Sequence, residues 1–304
     1  MAKFQVNILG CGSATPSALH NPSCQVIDFR DRLMMIDCGE GAQVQMRRMK
    51  LKFQRLTDIF ISHLHGDHCF GLPGLLSTMA LHEKGGRVTV HMPQQGMELF
   101  RSFINYFCKE TPYDIVFNAV SGDGGIIYED HALTVEAFPL YHRIPCYGYI
   151  FREKAKLRHL NGDMVRFYNI PVARLQSIKE GADYVTPAGD VIKNDILTTP
   201  ADKAASYAYC SDTMFDHRVA QAVRGVDVLY HEATYSDDCA TKAADRGHAT
   251  ARQAAAIAAE AGVGKLIIGH YSKRYIDYEV LVREARSVFD NVAGACEGIK
   301  IDLL

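Results

Sequence analysis

Ile59-Phe60-Ile61-Ser62-His63-Leu64-His65-Gly66-Asp67-His68 is the stretch on which the fold prediction for this chain depends. An apolar run typical of a buried strand leads directly into three histidines and an aspartate. Side chains two residues apart at a strand end point the same way, so we expect His63 and His65 to share one metal ion. The turn that follows brings Asp67 and His68 to a second ion. Imidazole and carboxylate ligands without a thiolate favour zinc, with manganese, iron or cobalt as substitutes.

Three more candidate ligands follow other predicted strands. The strand-like runs at 135–140, 207–210 and 266–269 end close to His142, Asp212 and His270. A lone histidine is more often a structural residue, so its position in the fold decides whether it is a candidate ligand. Sheets of α/β proteins assemble their sites from loops at the carboxyl ends of strands, and each of these residues lies there.

Predicted strands and helices alternate through most of the chain, which favours layered α/β packing in a single domain spanning 1–304. The strands at 4–9, 23–29 and 32–36 form a β meander, and later strands are expected at 58–62, 87–92, 132–140, 206–210, 226–231 and 265–269. Predicted helices occupy 42–49, 72–83, 94–107, 214–223, 250–261 and 278–289. The run Thr250-Ala251-Arg252-Gln253 fits a capping box and locates the start of one of them.

Residues 151–195 interrupt this alternation and are interpreted as an insertion. Between Arg152 and Lys179 there are seven basic and two acidic side chains, a net charge of +5 that leaves -7 for the rest of the chain. A basic segment with aromatic side chains at Phe151, Phe167 and Tyr168 is suited to a polyanion. A solvated charged loop explains the charge equally well.

The bulk properties describe a globular protein. The net charge is -2, the hydrophobic content is 48%, and no window approaches the roughly 18 apolar residues that a membrane span needs. A strand pattern begins at Phe4 where an export signal would have its apolar core. Nine cysteines without a Cys-x-x-Cys pair are interpreted as reduced thiols. We therefore expect a cytoplasmic protein with no membrane partner.

The spaced ligands closely resemble the pattern of the metallo-β-lactamase superfamily, and the resemblance spans nearly the whole chain. It implies an αββα sandwich from which residues 151–195 project as a basic arm. It also implies two zinc ions per subunit, the first held by His63, His65 and His142, the second by Asp67, His68 and His270, with Asp212 bridging them.

Other runs are similar to the ribonuclease Z family in particular: Leu9-Gly10-Cys11-Gly12-Ser13-Ala14-Thr15-Pro16, Asp37-Cys38-Gly39-Glu40-Gly41, Ser211-Asp212-Thr213, His231-Glu232-Ala233-Thr234 and Gly247-His248-Ala249-Thr250. This resemblance implies a zinc-dependent endoribonuclease that removes the 3′ trailer from tRNA precursors. It further implies a homodimer in which the arm grips tRNA.

We hypothesise three catalytic residues, two of which the resemblance pairs. A hydroxide activated by the metals would attack phosphorus, with Asp67 orienting it or taking its proton. In the family the glutamate of the His-Glu-Ala-Thr run orients the later histidine, which implies a pair of Glu232 and His248. His248 would then protonate the leaving 3′ oxygen.

Two departures from the family pattern and two rival functions stay open. Bacterial members often carry a basic loop of the type Pro-x-Lys-x-Arg-Asn, linked to sensing the CCA end, where this chain has Pro16-Ser17-Ala18-Leu19-His20-Asn21. The arm has Asn169-Ile170-Pro171-Val172 where a tip rich in glycine and proline is expected. The main rival is a hydrolase of small phosphodiesters or esters that uses the same metals. A binding protein with a vestigial site is the other, and the complete ligand set disfavours it.

Overall fold

The computed structural model describes residues 4–108 and 110–303, and within them it forms two seven-stranded sheets and two small two-stranded ones. The first large sheet contains β1 (Phe4–Gly10), β2 (Cys24–Phe29), β3 (Arg32–Ile36), β4 (Leu56–Phe60), β5 (Arg87–Pro93), β6 (Asp114–Val120) and β18 (Lys300–Asp302). Their spatial order is β18-β1-β2-β3-β4-β5-β6.

The pairing in this sheet changes from antiparallel to parallel at β3. Strands β1, β2 and β3 pair antiparallel, which confirms the predicted meander, whereas β3 to β6 pair parallel. Every residue of β1 and β2 is buried, so both faces of these strands are covered.

The second large sheet contains β7 (Gly125–Glu129), β8 (Leu133–Leu140), β9 (Cys146–Glu153), β14 (Ser206–Cys210), β15 (Val228–Glu232), β16 (Lys265–Gly269) and β17 (Val292–Gly294). Their order is β17-β16-β15-β14-β9-β8-β7. Strands β14 to β17 pair parallel, so their carboxyl ends meet at one edge of the sheet.

The two large sheets pack face to face through aromatic side chains. The ring of Phe60 lies 5.5 Å from that of Tyr149, and the Tyr149 hydroxyl donates to the carbonyl of Ile61 at 2.6 Å. The Tyr209 hydroxyl crosses in the opposite direction and donates to Asp37 Oδ2 at 2.7 Å. These contacts connect strands of one sheet to strands of the other.

Helices cover the outer faces of both sheets. The apolar side chains of α1 (Ala42–Arg48), α3 (Leu72–Leu81) and α4 (Met97–Phe107) share one core with the first sheet. On the second sheet, α10 (Ala251–Ala261) packs against β15 and β16 and contacts α8 (His217–Ala222) and α11 (Glu279–Arg286). Two short helices, α2 (Gly66–Cys69) and α9 (Ala240–Arg246), complete this part of the chain. No helix in the described ranges is long and apolar enough to cross a membrane.

The capping signals locate two helix starts. Thr250 Oγ1 accepts from the Gln253 amide at 3.2 Å while Gln253 Oε1 accepts from the Thr250 amide at 2.9 Å, which confirms the capping box. The helix predicted at 214–223 begins at His217 instead, because the Asp216 carboxylate accepts from the amide of Arg218 and caps it there.

A second compact unit comprises Asp130–Leu133 and Arg152–Ala204 and so contains residues 152–195 of the predicted insertion. It has three helices, α5 (Gly162–Phe167), α6 (Val172–Lys179) and α7 (Asn194–Leu197), and two ribbons, β10 (His159–Leu160) with β13 (Thr198–Thr199) and β11 (Tyr184–Val185) with β12 (Val191–Ile192). Its small core consists of Ile170, Ile178, Tyr184 and Leu197. Residues 152–204 carry nine basic and seven acidic side chains, so the positive charge is concentrated before Glu180.

Candidate metal centre

Each candidate ligand lies just beyond a strand of one of the two large sheets. His63 and His65 follow β4, and α2 then places Asp67 and His68 in its first turn. The others, His142, Asp212 and His270, follow β8, β14 and β16. The structure therefore brings together side chains that are more than 200 residues apart in sequence, as between His68 and His270.

The first cluster consists of His63, His65, His142 and Asp212. The Nδ1 atom of His65 lies 3.0 Å from His63 Nε2 and 3.2 Å from His142 Nε2. Asp212 Oδ2 lies 3.6 Å from His63 Nε2. Zinc bonds of about 2.0 to 2.1 Å in a tetrahedral site separate the ligand atoms by about 3.3 Å, and these distances agree with that spacing.

The second cluster consists of Asp67, His68 and His270, and the other oxygen of Asp212 faces it. His68 Nε2 and His270 Nε2 are 3.3 Å apart, and Asp67 Oδ2 lies 3.5 Å from the former and 3.6 Å from the latter. Asp212 Oδ1 completes the group at 3.2 Å from His270 Nε2.

The surroundings of Asp212 Oδ1 test whether a cation fits the two clusters. This oxygen is buried and accepts no hydrogen bond, although an unpaired buried carboxylate oxygen is costly. The two carboxylate oxygens of Asp212 face different clusters, as those of a carboxylate that bridges two ions do. The donor set, five His nitrogens with carboxylate oxygens and no sulfur within the two clusters, fits zinc.

The second nitrogen of each of three histidines is held by a group outside the clusters. His68 Nδ1 donates to Asp37 Oδ2 at 2.7 Å, and His142 Nδ1 donates to the Gly247 carbonyl at 2.7 Å. His270 Nδ1 donates to Thr234 Oγ1 at 2.8 Å. Such bonds fix the tautomer, so that the other ring nitrogen offers a lone pair to a metal.

Asp37 is the functional residue that sequence reasoning missed. The run Asp37-Cys38-Gly39 resembles a family motif, but the resemblance by itself gives the aspartate no role. The fully buried carboxylate accepts from His68 Nδ1, from the Ser62 amide at 2.7 Å and from the Tyr209 hydroxyl at 2.7 Å. The available signal was its position directly after β3, by the same strand-end rule that found the ligands.

Two residues of this centre have a left-handed backbone conformation. The φ angles are +54° at Asp37 and +61° at His270, a region that residues other than glycine rarely occupy. Such strain costs on the order of 1–3 kcal/mol and persists where the surrounding structure enforces it. Here it directs both side chains toward the clusters.

The electrostatics favour bound cations. Burial, followed by the neighbouring imidazoles, lowers the pKa of His63 well below its usual range, so the ring is neutral as a ligand must be. Burial also lowers the pKa of His68, but the carboxylates of Asp212, Asp37 and Asp67 outweigh it and raise that pKa well above the usual range. Three carboxylates around one buried imidazole are a strongly negative environment.

Glu232 and His248 form a pair beside the second cluster. His248 Nδ1 donates to Glu232 Oε1 at 3.0 Å, and the buried carboxylate also accepts from the amides of Thr213, Thr234 and Ala249 and from the Thr234 hydroxyl. Burial lowers the pKa of His248, but the charge of Glu232 and this hydrogen bond raise it to about 9. Burial raises the pKa of Glu232, but His248 outweighs it and holds that pKa at about 2.

A cleft of about 370 Å³ opens onto both clusters. Its walls include Asp67, Asp212, His248 and His270, with Phe70, which is 65% exposed, and Arg143 also lining it. The arrangement places a proton donor and candidate metal ligands around a space open to solvent. It is suited to hydrolysis of a substrate that carries negative charge.

The remaining histidines lie outside the two clusters, and most pair with a carboxylate. His231 is buried in β15, where Nδ1 donates to the Glu232 carbonyl at 2.7 Å. His91 pairs with Asp58, His159 with Asp202 and His217 with Glu260. His20 pairs with Glu297 at 3.0 Å and also lies near Cys11.

Comparison with solved structures identifies the class of this protein. A metallo-β-lactamase fold protein from Bacillus subtilis, YhfI, has a TM-score of 0.69 and 17% identity and matches 99% of this chain and 100% of its own. The short form of human tRNase Z has a TM-score of 0.73 and 24% identity, with 99% of both chains covered. The fold is therefore the metallo-β-lactamase αββα sandwich.

Sequence comparison then identifies the family. A ribonuclease Z of Parabacteroides distasonis is 50% identical over 304 residues, which cover 100% of both chains. A family model described as "Anti-Pycsar protein Apyc1" matches residues 4–155. Because the identity extends over the full length, the chain belongs to the ribonuclease Z family and is a hydrolytic enzyme, an endoribonuclease.

Proposed function

We propose that this protein is a zinc-dependent endonuclease that removes the 3′ trailer from tRNA precursors. The observation that carries the proposal is the 50% identity to a ribonuclease Z over the whole chain. The two ligand clusters and the Glu232–His248 pair supply the groups that phosphodiester hydrolysis needs.

Two zinc ions per subunit fit the clusters. The first would be held by His63, His65 and His142, the second by Asp67, His68 and His270, with Asp212 between them. When bound, such ions activate a water for attack and offset the charge on the phosphate oxygens.

Asp67 is proposed to orient the attacking water or take its proton. The Ala14 amide donates to Asp67 Oδ2 at 2.7 Å, which fixes the rotation of the carboxylate. The other oxygen, Oδ1, is then the atom available to the water.

His248 is proposed to protonate the leaving 3′ oxygen. Because Nδ1 is committed to Glu232, the proton is delivered from Nε2. The Glu232 carboxylate raises the pKa of His248 to about 9 against the opposing effect of burial, which keeps the ring protonated near neutral pH.

The test is gel analysis of a 3′-extended tRNA precursor incubated with the zinc-loaded protein, with bis(p-nitrophenyl) phosphate as a small substrate. Release of the trailer by one internal cut near the discriminator nucleotide is expected. Turnover of the small diester alone would refute the tRNA proposal and favour the alternative, a small-molecule phosphodiesterase on the same metals. Precursors with and without CCA would show how the altered loop Pro16–Asn21 handles that end.

The second compact unit, which contains most of residues 151–195, is proposed as the tRNA-binding arm. Arg166 pairs with Asp163 and Lys193 with Asp183, so part of its charge is already neutralised. Arg174 and Lys179 on α6 make no ion pair with a described carboxylate. These two cations are the ones we assign to tRNA phosphates.

The variant Arg174→Gln/Lys179→Gln tests the arm. We expect a higher KM for the tRNA precursor and unchanged turnover of bis(p-nitrophenyl) phosphate. The matched control is Arg166→Gln/Lys193→Gln, which removes one arginine and one lysine of the same unit that already have carboxylate partners. An equal loss on both substrates would make the unit a stability element.

We further propose a homodimer that acts in the cytoplasm. Support for the dimer is an exposed apolar stripe on α4, formed by Leu99, Phe103, Tyr106 and Phe107. Support for the location is the proposed substrate. The relative described above is bacterial, and bacteria transcribe tRNA in the cytoplasm.

A further inference from the structure

A second cavity, of about 390 Å³, adjoins the metal cleft, and we call it the basic cavity. It shares Ala14, Arg143 and His248 with the cleft. Its described lining contains no acidic side chain and five cations: Arg143, Lys242, Arg246, Lys273 and Arg274. Neither the ligand clusters nor the Glu232–His248 pair accounts for this charge.

The five cations are not neutralised by the protein. None of them lies within ion-pair distance of a carboxylate in residues 4–108 and 110–303. Cationic side chains on a protein surface are usually interspersed with acidic ones. Five that converge on one cavity without such a partner create a positive potential that attracts an anion.

A buried tyrosine orders two of these cations while leaving their charge intact. The ring of Tyr235, which is 5% exposed, has Arg274 Cζ at 5.2 Å and Lys242 Nζ at 6.0 Å from its centroid. A cation–π contact attracts a cation without cancelling its charge as a carboxylate would. Arg274 is further held because its Nη1 donates to Cys239 Sγ at 3.1 Å.

Five hydroxyl-bearing residues line the same cavity: Ser13, Thr15, Thr234, Tyr235 and Ser272. The backbone beside one of them is fixed, since the Ser13 amide donates to the Tyr271 carbonyl at 3.0 Å. Hydroxyls and cations together are the donors that proteins use for the phosphate oxygens of nucleic acids. The chemistry of the basic cavity therefore fits a phosphate group.

His248 lines both the cleft and the basic cavity, and it therefore indicates on which side of the cut the cavity lies. In the mechanism proposed above, His248 donates a proton to the 3′ oxygen that stays on the mature tRNA. The cavity next to His248 then lies on the mature side of the cut. The first backbone phosphate on that side is the one 5′ to the discriminator nucleotide. We propose, on the basis of the proposed function, that the basic cavity binds this phosphate and so positions the discriminator nucleotide.

The experiment compares two double variants of equal charge. Lys242→Gln/Arg246→Gln removes one lysine and one arginine from the basic cavity, and Lys300→Gln/Arg224→Gln removes the same charge from exposed positions that do not line it. The probe is a fluorescently labelled tRNA transcript that ends at the discriminator nucleotide. It lacks a trailer, cannot be cut, and occupies only the mature side of the site.

For the cavity variant we expect binding of this transcript to weaken at least 10-fold at low salt in fluorescence anisotropy. The slope of log K against log salt should fall by about 0.7 for each lost phosphate contact. The control variant should bind within twofold of the wild type. The melting temperature should stay unchanged in both variants, which excludes misfolding.

Equal weakening in the two variants, or no weakening in either, would overturn the proposal. Inorganic phosphate is titrated alone to detect a site for free anions. If phosphate stabilises the wild type but not the cavity variant while transcript binding is unaffected, the cavity binds free phosphate and the RNA proposal falls.

Cleavage of the precursor by the wild type is scored separately, so the two proposals fail independently. Cleavage together with unaltered transcript binding by the cavity variant sinks the phosphate proposal alone. Absence of cleavage together with weakened binding by the cavity variant sinks the tRNA-processing proposal and supports an RNA phosphate site.

Discussion

Single residues at the metal centre divide into those that would hold ions and those that act on the substrate or on a ligand. Asp212 faces both clusters, whereas His248 lies beside them and is held by Glu232. Asp37 touches neither the cleft nor a candidate ion but holds His68. These positions predict different losses on substitution.

His248→Ala and Asp212→Ala should separate metal binding from proton transfer. The first is expected to retain both zinc ions and lose about 10²-fold or more in turnover, because only a proton donor is removed. The second should lose metal and activity together. Zinc content by mass spectrometry, measured beside precursor cleavage, checks both. Full activity of a zinc-loaded His248→Ala protein would remove this residue from the mechanism.

Asp37→Asn should weaken zinc binding without removing a ligand. The amide keeps the volume of the carboxylate but loses the charge that His68 Nδ1 donates to at 2.7 Å. Loss of such an outer partner typically costs 10- to 100-fold in metal affinity. Competition with a chromophoric chelator measures it. Wild-type affinity in Asp37→Asn would mean that packing alone orients His68.

Glu297 predicts a pH dependence of stability. Its carboxylate accepts from His20 Nδ1 at 3.0 Å and from the Asn21 amide at 2.8 Å. Burial raises the pKa of Glu297, but these hydrogen bonds outweigh it and lower the pKa. A lowered pKa means that the stabilisation is present above the unfolded value of about 4.3 and is lost as the pH falls below it.

Glu297→Gln is therefore expected to be less stable than the wild type by about 1–3 kcal/mol at pH 7. The difference should shrink as the pH is lowered through 4, as measured by urea unfolding at several pH values. A difference that is independent of pH would show that the charge of Glu297 contributes nothing.

At the scale of elements, strand ends and helix starts determine where the site lies. The parallel strands β14, β15 and β16 end at one edge, and the residues that follow them, Asp212, Ala233 and His270, lie there. Thr250, the N-cap of helix α10, lies two residues after His248. The capping box thus fixes the end of the segment that carries the proposed proton donor.

Thr250→Ala should destabilise the protein by about 1 kcal/mol, because it removes the side-chain acceptor of the Gln253 amide. Thr250→Ser keeps a hydroxyl at the same place and serves as the control. Thermal unfolding followed by circular dichroism distinguishes them. Equal melting temperatures for the alanine variant and the wild type would contradict the role given to this cap.

At the scale of the whole molecule, helix α4 carries several apolar side chains that a lone chain leaves exposed. Leu99, Phe103, Tyr106 and Phe107 lie on α4 at the spacing of a single helix face, and Tyr106 is 70% exposed. Exposed apolar patches of this kind mark interaction sites. The proposed homodimer would bury this face.

Leu99→Asp/Tyr106→Asp should convert a dimer into a monomer, because it places two charges in the apolar face. Both side chains are exposed, so the fold of the single chain should be preserved. Light scattering coupled to size exclusion measures the mass. As a control, Leu81→Asp changes an apolar residue that is 83% exposed and lies outside α4. A wild type that elutes as a monomer would contradict the dimer itself.

Much of the fold and of the candidate site followed from the sequence, for a local reason. An apolar strand that leads into His63-x-His65-x-Asp67-His68 encodes both an element and its ligands within ten residues. The strand-end rule then added His142, Asp212 and His270, because the loops that carry them are adjacent in sequence to recognisable strands. The meander and the capped helix were predicted from period and cap in the same way.

Other features depend on contacts that no local pattern records, and only the tertiary structure decided them. Asp37 acts through His68, which is 31 residues away, and His142 is held by the backbone carbonyl of Gly247. The basic segment predicted at 151–195 lies in a unit with its own small core, where acidic residues after Lys179 offset much of the charge. The basic cavity combines Arg143, the pair Lys242 and Arg246, and the pair Lys273 and Arg274. Sequence determined the chemistry of the ligands because it is carried by side-chain type and local period, whereas convergence of distant segments depends on packing of the whole chain.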